Sequence, residues 1–298
     1  MPRSLTLLVA ALLCLPQLSA ASTLREKLQE RRETRSEQRL LSELPAGSRI
    51  LRDQAYGTHP RQRFDVYLPP AAQAAPILFM VHGGGWYTGD KARDAVIENK
   101  ARHWLSQGYI LVSSNYRLLP EADPLAQAGD VAQALAVVQR AAPGWGGDAT
   151  RTLLMGHSAG AHLVALLNSD PQLASAIAHP WLGTIALDSA AFDVTAIMQN
   201  RHLPLYDRAF GDDRTGWRQA SPLQRLQTGA RPLLAVCSTR RHDACPQADA
   251  YAAKAQQLGV TVHVLRENRS HGEINQDLGA DAVYTARVDA FLHTLGLP

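Results

Sequence analysis

The chain has 298 residues, of which 46% are hydrophobic and 19% charged, and its formal net charge is +3 at neutral pH. That length suits a single α/β unit around one sheet, and the composition excludes a disordered chain and a membrane bundle. The mild basic excess sits mostly in the Arg-rich stretch 25–39 and gives no basis for a nucleic-acid partner.

At the start, Arg3 precedes an apolar run over 5–15 and then Ser19-Ala20-Ala21, a small-x-small cleavage pattern. This predicts a secretory signal peptide over 1–21, since the run is too short to cross about 30 Å of hydrocarbon. The protein is therefore expected to be exported, periplasmic or extracellular, with no stable membrane insertion once the signal is removed. Thr23-Leu24-Arg25-Glu26 fits a capping box, which opens a polar, Arg-rich helix or arm over 22–48. Signal removal would take Cys14 and leave Cys237 and Cys245, an even pair expected to form a disulfide in an oxidising compartment.

The pattern then turns to period two. Arg63-Phe64-Asp65-Val66-Tyr67-Leu68 predicts an antiparallel strand with one wet face. Short apolar runs at 77–81, 109–113, 152–155, 184–187, 233–236 and 262–265 alternate with helical patterns at 96–105, 126–139, 161–167, 248–258 and 283–295. Continuous apolar strands between helices imply an α/β domain over 49–298, with a mostly parallel sheet covered on both faces. The excursion 191–229, rich in Arg, Asp, Pro and aromatics, reads as a cap or lid segment beside a site. Arg117 and Asp130 read as a structural ion pair. No spacing of Cys, His or carboxylates suits a metal.

The chemistry-bearing residues follow the strands. Gly156-His157-Ser158-Ala159-Gly160 stands between an apolar strand and a helix, the context in which a strained turn exposes a nucleophilic serine. Its glycines remove side chains that would collide with the adjoining backbone, and the Ala159 amide then faces a developing oxyanion. His82-Gly83-Gly84-Gly85-Trp86 follows the strand at 77–81, and its glycine amides are expected to complete the oxyanion hole. The general base should come late in the chain. His263 lies within a strand and His293 within the terminal helix, whereas His271 lies in the polar loop after the strand at 262–265. The acid is expected at Asp243, after the strand at 233–236, with Asp188, Asp193 and Asp249 as alternatives. Trp86, Tyr87 and His157 are candidate substrate contacts, although the two aromatics could equally cover the glycine loop.

The motifs His82-Gly83-Gly84-Gly85-Trp86, Asn115-Tyr116-Arg117-Leu118-Leu119-Pro120-Glu121 and Gly156-His157-Ser158-Ala159-Gly160 resemble those of the esterase/lipase branch of the α/β-hydrolases. The resemblance is to the hormone-sensitive-lipase-like carboxylesterases and the arylformamidases, and it runs from about Phe64 to the end. It implies an eight-stranded sheet, no cofactor, and acyl-enzyme hydrolysis of a small-molecule ester. The acid loop departs from the usual pattern by carrying Arg240-Arg241-His242 before Asp243 and a cysteine after it. Arylformamidase activity is the nearest alternative, disfavoured by the expected export. A non-catalytic binding protein on the same fold is disfavoured by the intact set of candidate residues.

Overall fold

Runs that are apolar on both faces become the central strands. β3 (Ala75–Val81) and β4 (Ile110–Ser114) are buried along their whole length, because helices cover both sides of the sheet. A computed structural model of the chain describes residues 37–189 and 191–298. The expected signal segment, Cys14 and the arm over 22–36 lie outside the described residues. Residues 37–43 are helical, and Leu44–Pro298 form a compact unit of their own.

The remaining strands are β1 (Arg49–Ala55), β2 (Arg63–Leu68), β5 (Gly147–His157), β6 (Gly183–Leu187), β7 (Leu233–Ser238) and β8 (Val262–Glu267), and the sheet order is β1-β2-β4-β3-β5-β6-β7-β8. Pairing is antiparallel from β1 to β2 and from β2 to β4, and parallel elsewhere. β3 has β4 on one side and β5 on the other, so strand order reverses there and a crevice opens at the carboxyl ends of β3 and β5.

Two features depart from the sequence expectation. β1 stands in none of the apolar runs, since its residues Arg49, Arg52, Asp53 and Gln54 are polar. β2 has no wet face: Asp65 and Tyr67 are buried. Asp65 is held there by Arg52 at 2.7 Å, Lys91 at 2.8 Å and the Asp53 amide at 2.9 Å. A carboxylate so paired is buried without an unsatisfied charge, so alternation did not signal solvent on that side.

The helices are α1 (Asp94–Ser106), α2 (Pro124–Ala141), α3 (Ala159–Ser169), α4 (Gln172–Ser175), α5 (Val194–Met198), α6 (Pro204–Phe210), α7 (Arg214–Gln219), α8 (Pro222–Arg225), α9 (Ala244–Gln257), α10 (His271–Gln276) and α11 (Ala282–Thr294). α2 starts where Asp123 accepts from the Ala126 amide with Pro124 in the first turn, where a missing N–H costs nothing. Its Val131, Leu135 and Val138 join Ile77, Phe79 and Leu154 in one core. Leu78 and Met80 point to the opposite face and are equally buried. Arg117 makes the expected ion pair with Asp130, its Nε 2.8 Å and its Nη2 2.7 Å from the carboxylate, fixing the loop after β4 to α2. The excursion 191–229 contains the short helices α5 to α8.

Candidate active site

Ser158 occupies the turn between β5 and α3 with φ 56° and ψ −118°. That backbone region costs a non-glycine residue roughly 1–3 kcal/mol and persists only where the surroundings enforce it. Here the Ser158 amide donates to Leu187 O at 2.9 Å, and Ser158 O accepts from the His162 amide at 3.0 Å. Close packing supplies the rest. A Cβ on Gly156 would lie 2.3 Å from Gly160 O, and one on Gly160 would lie 2.3 Å from Val81 O. Glycine at both positions is thus a requirement of backbone contact.

The glycine loop lies against this turn because β3 pairs with β5, with Val81 opposite Gly156. A Cβ on Gly83 would meet His157 O and the Ser158 Cβ at 2.9 Å each. Gly84 turns at φ 130°, where its carbonyl accepts from the Thr88 amide at 3.1 Å. Gly83, Gly84, Gly85 and Ala159 all border one cavity of about 750 Å³ that also contains Ser158. Ala159 is the first residue of α3, so its amide has no helical acceptor four residues back. The loop is braced from behind: His82 is fully buried, stacks on Tyr116, and donates from Nδ1 to Gly83 O at 2.7 Å, while the Tyr116 hydroxyl donates to His82 O at 3.0 Å.

His271 begins α10 rather than lying in a loop. Ser270 and Glu273 form a reciprocal capping box, with the Ser270 amide donating to Glu273 at 2.7 Å and the Glu273 amide to Ser270 Oγ at 3.3 Å. The signal was in the sequence as Ser270-x-x-Glu273. From the far side, Lys100 of α1 donates to Asn275 O at 2.5 Å, and Asn99 to Gln276 O at 2.6 Å. Lys100 is fully buried, and burial pushes its pKa down to about 7. Nothing in the sequence pattern singled it out.

His271 Nε2 lies 2.9 Å from Ser158 Oγ, and its Nδ1 lies 2.6 Å from Asp188 Oδ2. The expectation for Asp243 is corrected here: the carboxylate at the ring is Asp188, the residue directly after β6. Asp188 is wholly buried, and its other oxygen accepts from the Ser238 amide at 2.7 Å. Burial alone would raise its pKa. The hydrogen bonds from His271 and Ser238, with the Arg241 charge, outweigh that and hold it below its ordinary value. Asp243 stands instead at the N-terminus of α9, its side chain 38% exposed and gripped by Arg241 Nε and Nη2 at 3.0 and 2.9 Å. The other two alternatives lie elsewhere: Asp193 caps α5, and Asp249 pairs with Arg266.

The disulfide Cys237–Cys245 is present, with Cα atoms 5.1 Å apart, and it closes the loop that carries Arg241 and Asp243. Arg241 Nη1 lies 2.9 Å from Asp188 Oδ2 and 2.9 Å from His271 Nδ1. Asp188 is ionised and closer to the ring, so Nδ1 carries its proton toward Asp188. The guanidinium is then a charged neighbour of that nitrogen and not its hydrogen-bond donor.

Trp86 lines the cavity yet is almost wholly buried. Its indole N–H donates to His162 Nδ1 at 3.2 Å, and His162 Nε2 donates to Ala220 O at 2.7 Å, tying the glycine loop through α3 to the excursion. Burial lowers the pKa of His162 to about 4, in keeping with the neutral ring these bonds require. Tyr87 is half exposed on the cavity wall beneath Arg208. His157 faces the His271 ring at 4.6 Å and donates from Nε2 to His271 O at 2.9 Å. Burial, with the neighbouring His271, lowers its pKa to about 3. Leu203, Leu205 and Tyr206 of the excursion complete an apolar wall.

The arrangement can shuttle a proton between a serine hydroxyl and a leaving group while backbone amides face the same space. The BD-FAE family model matches residues 64–198. A "Probable isoprenylcysteine alpha-carbonyl methylesterase" of Arabidopsis thaliana is 34% identical over 117 residues, which is 39% of this chain and 27% of that protein. A "Probable carboxylic ester hydrolase" of Mycobacterium tuberculosis is 30% identical over 218 residues, 63% of this chain and 48% of that protein. The matched stretches thus cover from about a quarter to about a half of these relatives. The crystal structure of Esterase B from Lactobacillus Rhamnosis superposes with a TM-score of 0.67 at 19% identity, over 94% of this chain and 96% of that one. The eight-stranded sheet and this superposition show the α/β-hydrolase fold, and over the matched stretches the chain is similar to the BD-FAE family and to these esterases.

Proposed function

We propose that the chain is a serine carboxylesterase that hydrolyses short-chain carboxylic esters through an acyl-enzyme. The observation that carries this reading is the unbroken line from Ser158 Oγ to His271 Nε2 and from His271 Nδ1 to Asp188, at 2.9 and 2.6 Å. In this reading His271 takes the Ser158 proton as Oγ attacks the ester carbonyl, and the amides of Gly83, Gly84 and Ala159 hold the resulting oxyanion. Collapse expels the alcohol, which leaves with the proton from His271. Water then attacks the acyl carbonyl, gives its proton to His271, and Ser158 leaves with that proton restored. Asp188 keeps the ring in the tautomer that accepts at Nε2, while Trp86 and Tyr87 border the substrate space.

A cavity of about 750 Å³ is in keeping with a small-molecule ester. The bridged pair Cys237–Cys245 supports an exported location, because such bridges persist in oxidising compartments. A panel of p-nitrophenyl esters from acetate to palmitate, run beside a formyl anilide, tests the reading. The expected result is highest kcat/KM with the shortest acyl groups. Turnover of the formyl amide alone would replace it with an arylformamidase-type reaction.

A further inference from the structure

Arg241 and His271 compete for one oxygen. Asp188 Oδ2 lies 2.6 Å from His271 Nδ1 and 2.9 Å from Arg241 Nη1. The guanidinium is held in that place by a two-pronged bond to Asp243 and by the disulfide that closes its loop. Any proton that His271 accepts makes the ring a cation beside an arginine that cannot give up its own charge. A nearby like charge disfavours protonation, and an opposite one favours it. Asp188 therefore stabilises the imidazolium, Arg241 opposes it, and Asp243 partly offsets Arg241.

We infer that Arg241 and Asp243 are a positioning and charge-tuning pair that sets the lowest pH at which His271 still serves as a base. The inference rests on the serine-esterase reading for its kinetic test and stands without it for its spectroscopic one. It gives a role to the feature that sets this chain apart in sequence, an Arg-Arg-His-Asp run where the resemblance implied only an acid. Arg241 touches no reacting atom. It acts through the fully buried Asp188 and through its field at the ring, which water screens in part because the Arg241 side chain is 25% and the His271 side chain 40% exposed.

Other charged and titratable groups surround His271, and Arg93, Tyr206, Arg240 and His242 border the same cavity. From β5, His157 faces the ring and stays neutral in the working range, since burial lowers its pKa to about 3. From α1, Lys100 donates to Asn275 O at the far end of α10. On α10 itself, Glu273 is engaged by Arg240 at 2.9 Å. Tyr206 of α6 makes a side-chain hydrogen bond with Arg241, so its contact changes in R241Q.

Two measurements test the inference on the full-length protein. In kcat/KM against pH, R241Q should move the acid limb upward by about one pH unit, R241K should restore it in large part, and D243N should move it downward by about half a unit. In parallel, NMR titration of the 15N-labelled His271 ring without substrate should show displacements of the same sign. This second arm reads the ring directly, so absent ester turnover would defeat the functional reading while leaving the tuning pair to be judged by NMR. If R241Q fails to fold, R241K and D243N decide the matter. A lowered kcat with an unmoved limb and ring titration would reduce Arg241 to a structural brace. A downward displacement in R241Q or an upward one in D243N would overturn the inference.

Discussion

Asp188→Asn is the perturbation that most sharply separates this account from one based on Asp243. The Ser238 amide donates to one Asp188 oxygen at 2.7 Å, and the His271 ring meets the other at 2.6 Å. An asparagine has one oxygen to serve both. If that oxygen stays with the Ser238 N–H, the side-chain NH2 faces His271 Nδ1, which must then accept. The ring proton moves to Nε2, and Ser158 loses its base. If the amide flips, two donors oppose each other at Ser238 in a buried place. The flip keeps the productive tautomer only by leaving two buried donors opposed, so the first arrangement is favoured, and its wrong tautomer costs about 10³ to 10⁴ in kcat, or about 4 to 5.5 kcal/mol of barrier. Asp243→Asn should change kcat by less than about tenfold at the optimum, because its carboxylate contacts Arg241 and not the ring. Steady-state kinetics on p-nitrophenyl acetate, with thermal unfolding as a check on folding, measures both. A near-normal D188N enzyme, or a larger loss in D243N, would refute the assignment.

Three further outcomes follow from named contacts. Lys100→Met should raise Tm by about 3 °C or more at pH 6 and by much less at pH 10. The folded-state pKa is pushed down to about 7 from 10.5, so between those values the unfolded chain holds a proton the folded one lacks; stability rises with pH across that window, and the burial cost is full below it. An equal Tm change at both pH values would contradict this. Gly160→Ala forces a Cβ to within 2.3 Å of Val81 O and 2.5 Å of His82 O, so it should cost about 1–3 kcal/mol and lower kcat by displacing the glycine loop; wild-type Tm and kcat together would argue against that packing. Reducing Cys237–Cys245, which lie eight positions apart, should cost about 2.5 kcal/mol in the chain-entropy description and depress kcat more than it raises KM, since the closed loop carries Arg241 and the Ser238 amide. Unchanged kcat after complete reduction would detach the bridge from the site.

The parts of the site that could be read from the sequence are those fixed by local backbone demands. Gly156 and Gly160 are required by contacts under 2.5 Å, and such requirements leave a spacing behind. His271 stands out by its place after the strand at 262–265; its six-residue helix has no visible periodicity, and only the Ser270-x-x-Glu273 capping box marks it. The carboxylate that meets the ring differs from the one favoured in the sequence because Asp188 and Asp243 both follow apolar strands, and chain order admits either. Spatial pairing decides it. β6 lies beside β5, with Leu187 opposite His157, so Asp188 and Ser158 each stand one residue past neighbouring strand ends. Asp243 was claimed by a cation two residues before it, Arg241, a local competitor visible as a departure from the family pattern. β1 was missed for a different reason: an edge strand with polar side chains has no apolar run to announce it.

The central claim is that Ser158 is the nucleophile, and covalent capture tests it most directly. The native protein is treated with diethyl p-nitrophenyl phosphate, residual esterase activity is followed, and the adduct is located by peptide mass spectrometry. The account predicts one diethylphosphoryl group per chain on Ser158, with activity lost in step with labelling and no adduct in Ser158→Ala. An adduct on another residue, or full activity in a chain labelled at Ser158, would contradict it.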